Sequence, residues 1–168
     1  MLIGFMGAGK SAVGLELAAR TGLPFHDTDQ AIVRAFGMSI GQIFARQGEE
    51  QFRARETALL QELEGAPAII ATGGGVVSAA QNVDTLRRRG TLVYLTADEE
   101  TLWRRTRESD RPLLQTPDPR GTFTELLSAR APLYCAAADL TVSTTKLSIA
   151  EVADAVLRAL EEVRSYAG

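Results

Sequence analysis

The sequence predicts an α/β protein, a three-layer α/β/α sandwich with a five-stranded parallel sheet and a phosphate-binding loop. Short apolar runs of strand length alternate with longer helical patterns along the 168 residues, which is typical of parallel sheets covered by helices. A glycine-rich segment that ends in lysine and serine follows the first apolar run. The length and the 45% apolar content suit one domain with one core, which we expect to cover residues 1–168.

Glycines and capping residues set the boundaries of the predicted elements. The first strand is short, and Gly22 is a natural end for the helix after the glycine-rich segment. Ser39 is a good N-cap for a long helix that ends before Gly65. The predicted strands cover 1–3, 23–26, 68–72, 91–96 and 140–143, and the other predicted helices cover 10–21, 27–37, 79–89, 98–107, 122–137 and 148–165. Residues 108–121 contain three prolines and few apolar residues, and we interpret them as a long polar loop that serves as a mobile lid.

The composition argues against nucleic acids and membranes as binding partners. The formal net charge of −3 lacks the basic balance that nucleic-acid-binding proteins usually have. No apolar run approaches the ~20 residues that span a bilayer, and the N-terminal residues do not resemble a secretory signal. The single cysteine, Cys135, excludes an intrachain disulfide and fits a reducing compartment. We therefore expect a cytoplasmic protein without nucleic-acid or membrane partners, and we also expect a monomer.

Residues 4–11, with the sequence GFMGAGKS, match the phosphate-loop pattern G-x-x-x-x-G-K-[ST]. Glycines let backbone N–H groups wrap around phosphate oxygens, and the following helix directs its positive N-terminus at the same anion. Lys10 is expected to reach the β- and γ-phosphates of ATP, and the Ser11 hydroxyl to bind Mg²⁺. The predicted ATP contacts in this segment are Gly7, Ala8, Gly9, Lys10, Ser11 and Ala12.

The same segment also fits a second pattern. Residues 7–12 match G-x-G-x-x-[GA], and Asp27 lies 20 residues after Gly7 at the end of a predicted strand, as in dinucleotide-binding proteins. That interpretation leaves Lys10 without a role and leaves little chain for a second catalytic domain. A dinucleotide-binding module therefore remains the weaker hypothesis.

Acidic and basic residues after the second predicted strand, on the long predicted helix and in the predicted lid are candidates for the chemistry. Of Asp27 and Asp29, one is a candidate Mg²⁺ ligand and the other a candidate base for a substrate hydroxyl, although both could simply cap the following helix. Arg53 and Glu56 share a helix face, either as a surface ion pair or as a carboxylate-binding arrangement. The turn 73–75 could be only a flexible connection or could bring backbone amides close to a ligand. Arg111 in the predicted lid could be a solvated loop arginine or could neutralise charge on a transferred phosphoryl group.

These segments, in this order, resemble those of shikimate kinases. The resemblance rests on GFMGAGKS at 4–11, DTD at 27–29, Ser39-Ile40 with Ile43-Phe44, residues 48–56, TGGG at 72–75, RPLL at 111–114 and RAPLY at 130–134. It covers nearly the whole chain, although the strand before the phosphate loop is shorter than the family usually shows. Residues 107–110 and 115–122 follow no fixed family pattern.

The resemblance implies the fold of the nucleoside monophosphate kinase group, with a substrate-binding region at about 29–64 and a lid at about 108–121. It implies phosphorylation of the 3-hydroxyl of shikimate by ATP and Mg²⁺, on the pathway to chorismate and the aromatic amino acids. It also implies residue roles. Lys10, Asp29 and Arg111 would be catalytic, Ser11 and Asp27 would bind the metal, Arg105 and Arg111 would contact ATP, and the substrate would be held by Asp29, Arg53, Gly73, Gly74, Gly75 and Arg130.

Three alternatives stay open at this stage. Another small-metabolite kinase, such as a gluconate kinase, would share the loop and fold, although the paired arginines and the triple glycine favour shikimate. A nucleotide-binding module without catalysis would not need an acceptor-side acid and a lid arginine. A dinucleotide-binding oxidoreductase would be stabilised by NAD rather than by ATP and Mg²⁺.

Overall fold

One parallel sheet of five strands forms the centre of the chain. The computed structural model describes residues 1–63, 66–109 and 111–166. The strands are β1 (Leu2–Ile3), β2 (Phe25–Asp27), β3 (Ile69–Ala71), β4 (Val93–Thr96) and β5 (Leu140–Ser143), in the spatial order β2-β3-β1-β4-β5. Leu2 lies opposite both Ala71 and Val93, and every neighbouring pair of strands is parallel. The loops that follow all five strands therefore meet at one edge of the sheet.

Helices connect the strands and cover both faces of the sheet. They are α1 (Lys10–Thr21), α2 (Thr28–Phe36), α3 (Ile40–Glu62), α4 (Ala80–Arg89), α5 (Glu99–Thr106), α6 (Pro119–Ala137) and α7 (Ile149–Tyr166). Successive strand residues face opposite sides of a sheet. Leu2 and Ile3 are only 2% and 0% exposed, so both faces of the sheet are covered at β1. Burial of each such side chain contributes about 1.5–3 kcal/mol. The predicted three-layer α/β/α sandwich is confirmed.

Local sequence signals determine most helix ends. Gly22 and Gly37 follow α1 and α2 with φ angles of 71° and 64°, the left-handed conformation that glycine adopts without strain. Ser39 and Gln42 form a reciprocal capping box at the start of α3, which confirms the predicted cap. Within the described residues, none of the helices combines the length and apolar character that crossing a bilayer requires.

The structure corrects several predicted boundaries. The third helix is interrupted at Gly48, where φ is 82° and ψ is 162°, rather than continuous. The predicted loop at 108–121 contains a 3₁₀ turn at Pro112–Leu114, and α6 already begins at Pro119 instead of residue 122. Asp118 caps α6 by accepting from the Gly121 N–H, and proline suits the first helical position. Three residues used in the predictions lie outside the described residues. They are Glu64, the last residue of the predicted substrate region, Gly65, before which the long helix was predicted to end, and Asp110 in the predicted lid.

Candidate active site

The phosphate loop lies at the carboxyl end of β1 and leads into α1. Gly7 and Gly9 have φ angles of 81° and 88°, which side chains rarely permit. The first backbone bond of the helix runs from the Val13 N–H to the Gly9 carbonyl at 2.9 Å. The N–H groups of Lys10, Ser11 and Ala12 therefore have no carbonyl partner one turn earlier in the helix. Free N–H groups at the positive end of a helix dipole are suited to bind an anion, so the geometry is compatible with the predicted phosphate contacts.

Lys10 folds back over the loop that precedes it. Its Nζ donates to the carbonyls of Gly4 at 2.8 Å and Phe5 at 3.1 Å. Burial lowers the pKa of Lys10 to about 8, the nearby Asp29 carboxylate partly opposes this, and the Arg111 guanidinium adds to it. The Lys10 side chain is thus held inside the loop, where a bound phosphate anion would stabilise its protonated form.

Binding of ATP is expected to weaken as pH rises above about 8. Protonated Lys10 attracts phosphate and neutral Lys10 does not, so affinity is retained below that pKa and lost above it. The KM for ATP should be flat from pH 6.5 to 7.5 and then rise by up to about tenfold per pH unit. Steady-state kinetics at fixed ionic strength would measure this.

The matched control for that titration is Lys10→Arg, whose guanidinium stays charged throughout the range. Its KM for ATP should be higher than that of the parent chain but independent of pH between 7 and 9.5. A rise in KM of the same steepness in both proteins would contradict titration of Lys10.

Ser11 and Asp27 meet beside the phosphate loop. The Ser11 hydroxyl donates to Asp27 Oδ2 at 2.5 Å, and Asp27 Oδ1 accepts from the Gln30 N–H at 3.0 Å. Asp27 therefore caps α2 through one carboxylate oxygen and contacts the Ser11 hydroxyl through the other. Its role as a metal ligand stays a prediction. The described residues contain no group of three or more His, Cys, Asp or Glu side chains suited to a metal. A hydroxyl and one carboxylate nevertheless fit Mg²⁺ in a phosphoryl-transfer site, since substrate phosphates and waters complete its shell.

Asp29 lies in the first turn of α2 and lines a cavity of about 430 Å³ next to the phosphate loop. Its Oδ1 is buried and has no hydrogen-bond partner within the described part of the chain. Burial raises the pKa of Asp29, and the positive charge of Lys10 opposes the rise. A carboxylate that is short of hydrogen bonds is well suited to accept one from a ligand hydroxyl.

The cavity combines charged groups on one side with apolar side chains on the other. Asp29, Arg53, Arg111 and Arg130 supply its charged part, and Gly74 and Gly75 supply backbone. The sequence did not predict the apolar residues of the lining, because they come from separate elements. The remaining lining residues are Met6, Ser39, Ile40, Gly41, Phe44, Phe52, Ser109, Pro112 and Leu113.

Arg53 forms ion pairs with two carboxylates on its own helix. Glu49 Oε1 accepts from Arg53 Nη2 at 2.9 Å, and Glu56 Oε2 accepts from Nη1 at 3.0 Å. Glu56 is 0% exposed, and its Oε1 has no partner among the described residues. Burial raises the pKa of Glu56, and the charge of Arg53 opposes that rise. The predicted Arg53–Glu56 pair is therefore a partly buried arrangement at the cavity rather than a solvated surface pair.

The absence of side chains at the triple glycine makes room for these charged groups. A Cβ on Gly73 would lie 2.5 Å from Glu56 Oε1 and 2.6 Å from Asp29 Oδ1. A Cβ on Gly75 would overlap the Arg53 guanidinium. The turn is therefore a site of close approach and not only a flexible connection.

The other predicted arginines approach the same edge from later elements. Arg130 on α6 is buried, and its Nη1 lies 3.5 Å from the Gly74 carbonyl. Arg111 lines the same cavity as Asp29; burial lowers the pKa of Arg111, and the Asp29 carboxylate opposes the change. Arg105 on α5 donates to the Gly7 carbonyl at 3.2 Å and to the Thr144 hydroxyl at 2.9 Å. Arg105 thus links the phosphate loop to the loop after β5.

Apart from Gly73, which lies against Asp29 and Glu56 beside the cavity, the site residues predicted from sequence lie in two adjoining groups. The phosphate loop, Asp27 and Arg105 form one, and the lining of the cavity forms the other. Two further residues, Thr28 and Tyr134, hydrogen-bond to the turn at 73–75 and were not predicted. Their positions inside the DTD and RAPLY segments were the only available signal.

Comparisons with known proteins agree with this geometry. The family model for shikimate kinase matches residues 6–161. The shikimate kinase of Cupriavidus pinatubonensis is 47% identical over 161 residues, which cover 95% of this chain and 84% of that protein. The one from Symbiobacterium thermophilum is 42% identical over 166 residues, covering 96% and 95%.

Solved structures give the same result. A shikimate kinase from Acinetobacter baumannii in complex with shikimate superposes with a TM-score of 0.92 at 39% identity, covering 96% of this chain and 91% of that one. The enzyme from Aquifex aeolicus gives a TM-score of 0.84 at 35% identity, with coverage of 95% and 94%. A gluconokinase from Sinorhizobium meliloti is 18% identical with a TM-score of 0.59 over 99% of this chain and 95% of that one, and so shares the fold alone. This chain belongs to the shikimate kinase family.

Proposed function

We propose that this chain transfers the γ-phosphoryl group of ATP to the 3-hydroxyl of shikimate. The product, shikimate 3-phosphate, would then serve the synthesis of chorismate and the aromatic amino acids. One observation carries the choice of acceptor: the cavity beside the phosphate loop places a hydrogen-bond-deficient carboxylate, Asp29, among three arginines. Shikimate is a small carboxylate with three hydroxyl groups, and both kinds of group find a partner there.

Each charged residue of the cavity has a distinct role in the proposal. Arg53 and Arg130 bind the substrate carboxylate, since guanidinium groups pair with carboxylates through directed, charge-assisted bonds. The backbone of Gly73, Gly74 and Gly75 contributes further contacts. Asp29 accepts a hydrogen bond from the acceptor hydroxyl and takes its proton as the bond to phosphorus forms.

The nucleotide side of the proposal uses the phosphate loop. Gly7, Ala8, Gly9, Ser11 and Ala12 surround the phosphates, and Lys10 binds the β- and γ-phosphates. Arg111 approaches the transferred phosphoryl group and offsets its developing charge, and Arg105 contacts the adenine. Ser11 and Asp27 would hold Mg²⁺, which supplies charge neutralisation on the phosphates when it is bound.

Further parts of the proposal concern the whole chain. Residues 108–121 act as the lid and exclude water as a competing nucleophile, and residues 29–64 bind the acceptor. Both substrates are held by groups from a single chain, so we propose that it acts as a monomer. We also propose a cytoplasmic location, where ATP is available.

The proposal predicts an acceptor-dependent release of ADP from the purified chain. With ATP and Mg²⁺, shikimate should increase ADP release by at least about a hundredfold over the rate without acceptor, and gluconate should not. Asp29→Asn serves as the negative control for contaminating kinases. Equal rates with gluconate and shikimate would contradict the proposed acceptor, and binding of ATP without any acceptor-dependent release would contradict the proposed transfer.

A further inference from the structure

Two buried hydroxyl groups hold the triple-glycine turn, and they come from two different helices. Thr28, the first residue of α2, accepts a hydrogen bond from the Gly73 N–H at 3.0 Å. The Tyr134 hydroxyl on α6 donates to the Gly74 carbonyl. The two side chains are 1% and 0% exposed. The backbone of the turn is therefore anchored on both sides of the Gly73–Gly74 bond.

The anchored turn lies between the acceptor cavity and the phosphate loop. Gly74 and Gly75 line the cavity. A Cβ on Gly74 would be 3.5 Å from the Met6 N and 3.7 Å from the Gly4 carbonyl oxygen, so the Gly74 backbone packs directly on the phosphate loop. A displacement of this turn would change the distance between a bound acceptor and a bound nucleotide.

The environment of Tyr134 keeps its hydroxyl in one place and in one state. Its ring stacks on Tyr94, with centroids 5.1 Å apart and planes inclined by 20°. Burial raises the pKa of Tyr134 far above its usual value, so the phenol is protonated and can donate at neutral pH. Arg130 Nη1 reaches the same Gly74 carbonyl only at 3.5 Å, so the tyrosine hydroxyl is the principal donor.

We propose that Thr28 and Tyr134 are positioning residues, whose hydroxyl groups hold the turn at the spacing that aligns the acceptor with the γ-phosphate. Neither side chain is among the described residues that line the cavity, so both act through the glycine backbone. This inference rests on the proposed function, because the alignment matters only if an acceptor binds in the cavity. It assigns a role to two residues that touch neither substrate.

The test separates positioning from folding through substrate-specific kinetics. Tyr134→Phe keeps the stacked ring and removes only the hydroxyl. It should lower kcat/KM for shikimate by about tenfold and leave the KM for ATP within about twofold of the parent. Thr28→Val should act in the same direction, and Thr28→Ser, which keeps the hydroxyl, should recover most of the activity. Tyr94→Phe is the matched control and should behave like the parent.

Thermal melts of all variants accompany the kinetics, which are run well below the lowest melting temperature. A Tyr134→Phe protein with a lowered melting temperature but parental kcat and shikimate KM would overturn the inference and leave only a structural role. A rise in the KM for ATP as large as any rise in the KM for shikimate would also overturn it. If the parent itself shows no shikimate-dependent turnover, the proposed function fails and this inference falls with it, whereas an active parent with an unaffected variant removes the inference alone.

Discussion

Replacement of Asp29 by asparagine is expected to reduce turnover by roughly a thousandfold, while ATP binds about as well as to the parent chain. Asparagine occupies nearly the same volume and still offers an oxygen to a ligand hydroxyl, but it cannot take the proton. The cavity places Asp29 with Arg53, Arg111 and Arg130, and none of these can replace it as a base. Turnover with saturating shikimate and calorimetric titration with ATP and Mg²⁺ would measure the two effects.

The pKa of Asp29 supplies a second readout for that variant. Burial raises this pKa above its usual value of 3.8, so the base form is lost as pH falls through the raised value. The parent should therefore lose kcat/KM for shikimate on the acid side of its profile at a higher pH than an ordinary aspartate would cause. The asparagine variant should lack that acid limb in its residual activity.

Stability separates a chemical defect from misfolding in the same protein. A raised pKa means that folding disfavours the ionised carboxylate. At pH values above the raised pKa, the charge therefore lowers the free energy of unfolding. Removing the charge should leave the melting temperature at neutral pH equal to or higher than that of the parent. Turnover close to the parental value in a folded asparagine variant would remove Asp29 from the mechanism.

Replacement of Arg53 by methionine is expected to impair both acceptor capture and stability. Loss of the guanidinium should raise the KM for shikimate by about a hundredfold, since a charge-assisted pair to a carboxylate is lost. It also leaves Glu56, which is 0% exposed, without its cationic partner. Because the Arg53 side chain is 26% exposed, breaking the pair should lower the free energy of unfolding by less than the ~3–5 kcal/mol typical of a fully buried pair, which chemical denaturation would measure.

The double variant Arg53→Met, Glu56→Gln distinguishes the two consequences. Removing the unpaired charge should restore most of the free energy of unfolding, and the high KM for shikimate should remain. Arg55→Met, at an exposed pair with Glu62 on the same helix, is the control and should change neither quantity appreciably. If the double variant recovers the parental KM, Arg53 does not bind the acceptor and acts only as a counterion.

Short-range signals in the sequence predicted the phosphate loop and most element ends. Lys10 and Ser11 are tied to the start of a helix by the glycines before them, and Ser39 carries its own capping partner, Gln42, three residues later. The alternation of strand and helix patterns was enough for the sheet, because a parallel sheet buries both faces and leaves clear apolar runs. The start of α6 was placed too late since the Asp118-Pro119 pair was interpreted as loop.

The sequence alone could not predict which residues from distant segments lie close together. No local pattern shows that Asp29 and Glu56, which lie on different helices, both direct an oxygen at the space beside Gly73. The anchoring of Gly73 by Thr28 and of Gly74 by Tyr134 joins residues that are 45 and 60 positions apart. The interruption at Gly48 was also missed, because a single glycine inside a helical pattern is compatible with a continuous helix.

The most direct test of the central claim is the identity of the phosphorylated product. Phosphorus and proton NMR of a reaction with ATP, Mg²⁺ and shikimate would locate the new phosphate ester while ADP is measured in parallel. We expect shikimate 3-phosphate to form in a one-to-one ratio with ADP, and no ester when gluconate replaces shikimate. Inorganic phosphate in place of an ester, or a phosphate on another hydroxyl of shikimate, would contradict the placement of the acceptor between Asp29 and the phosphate loop.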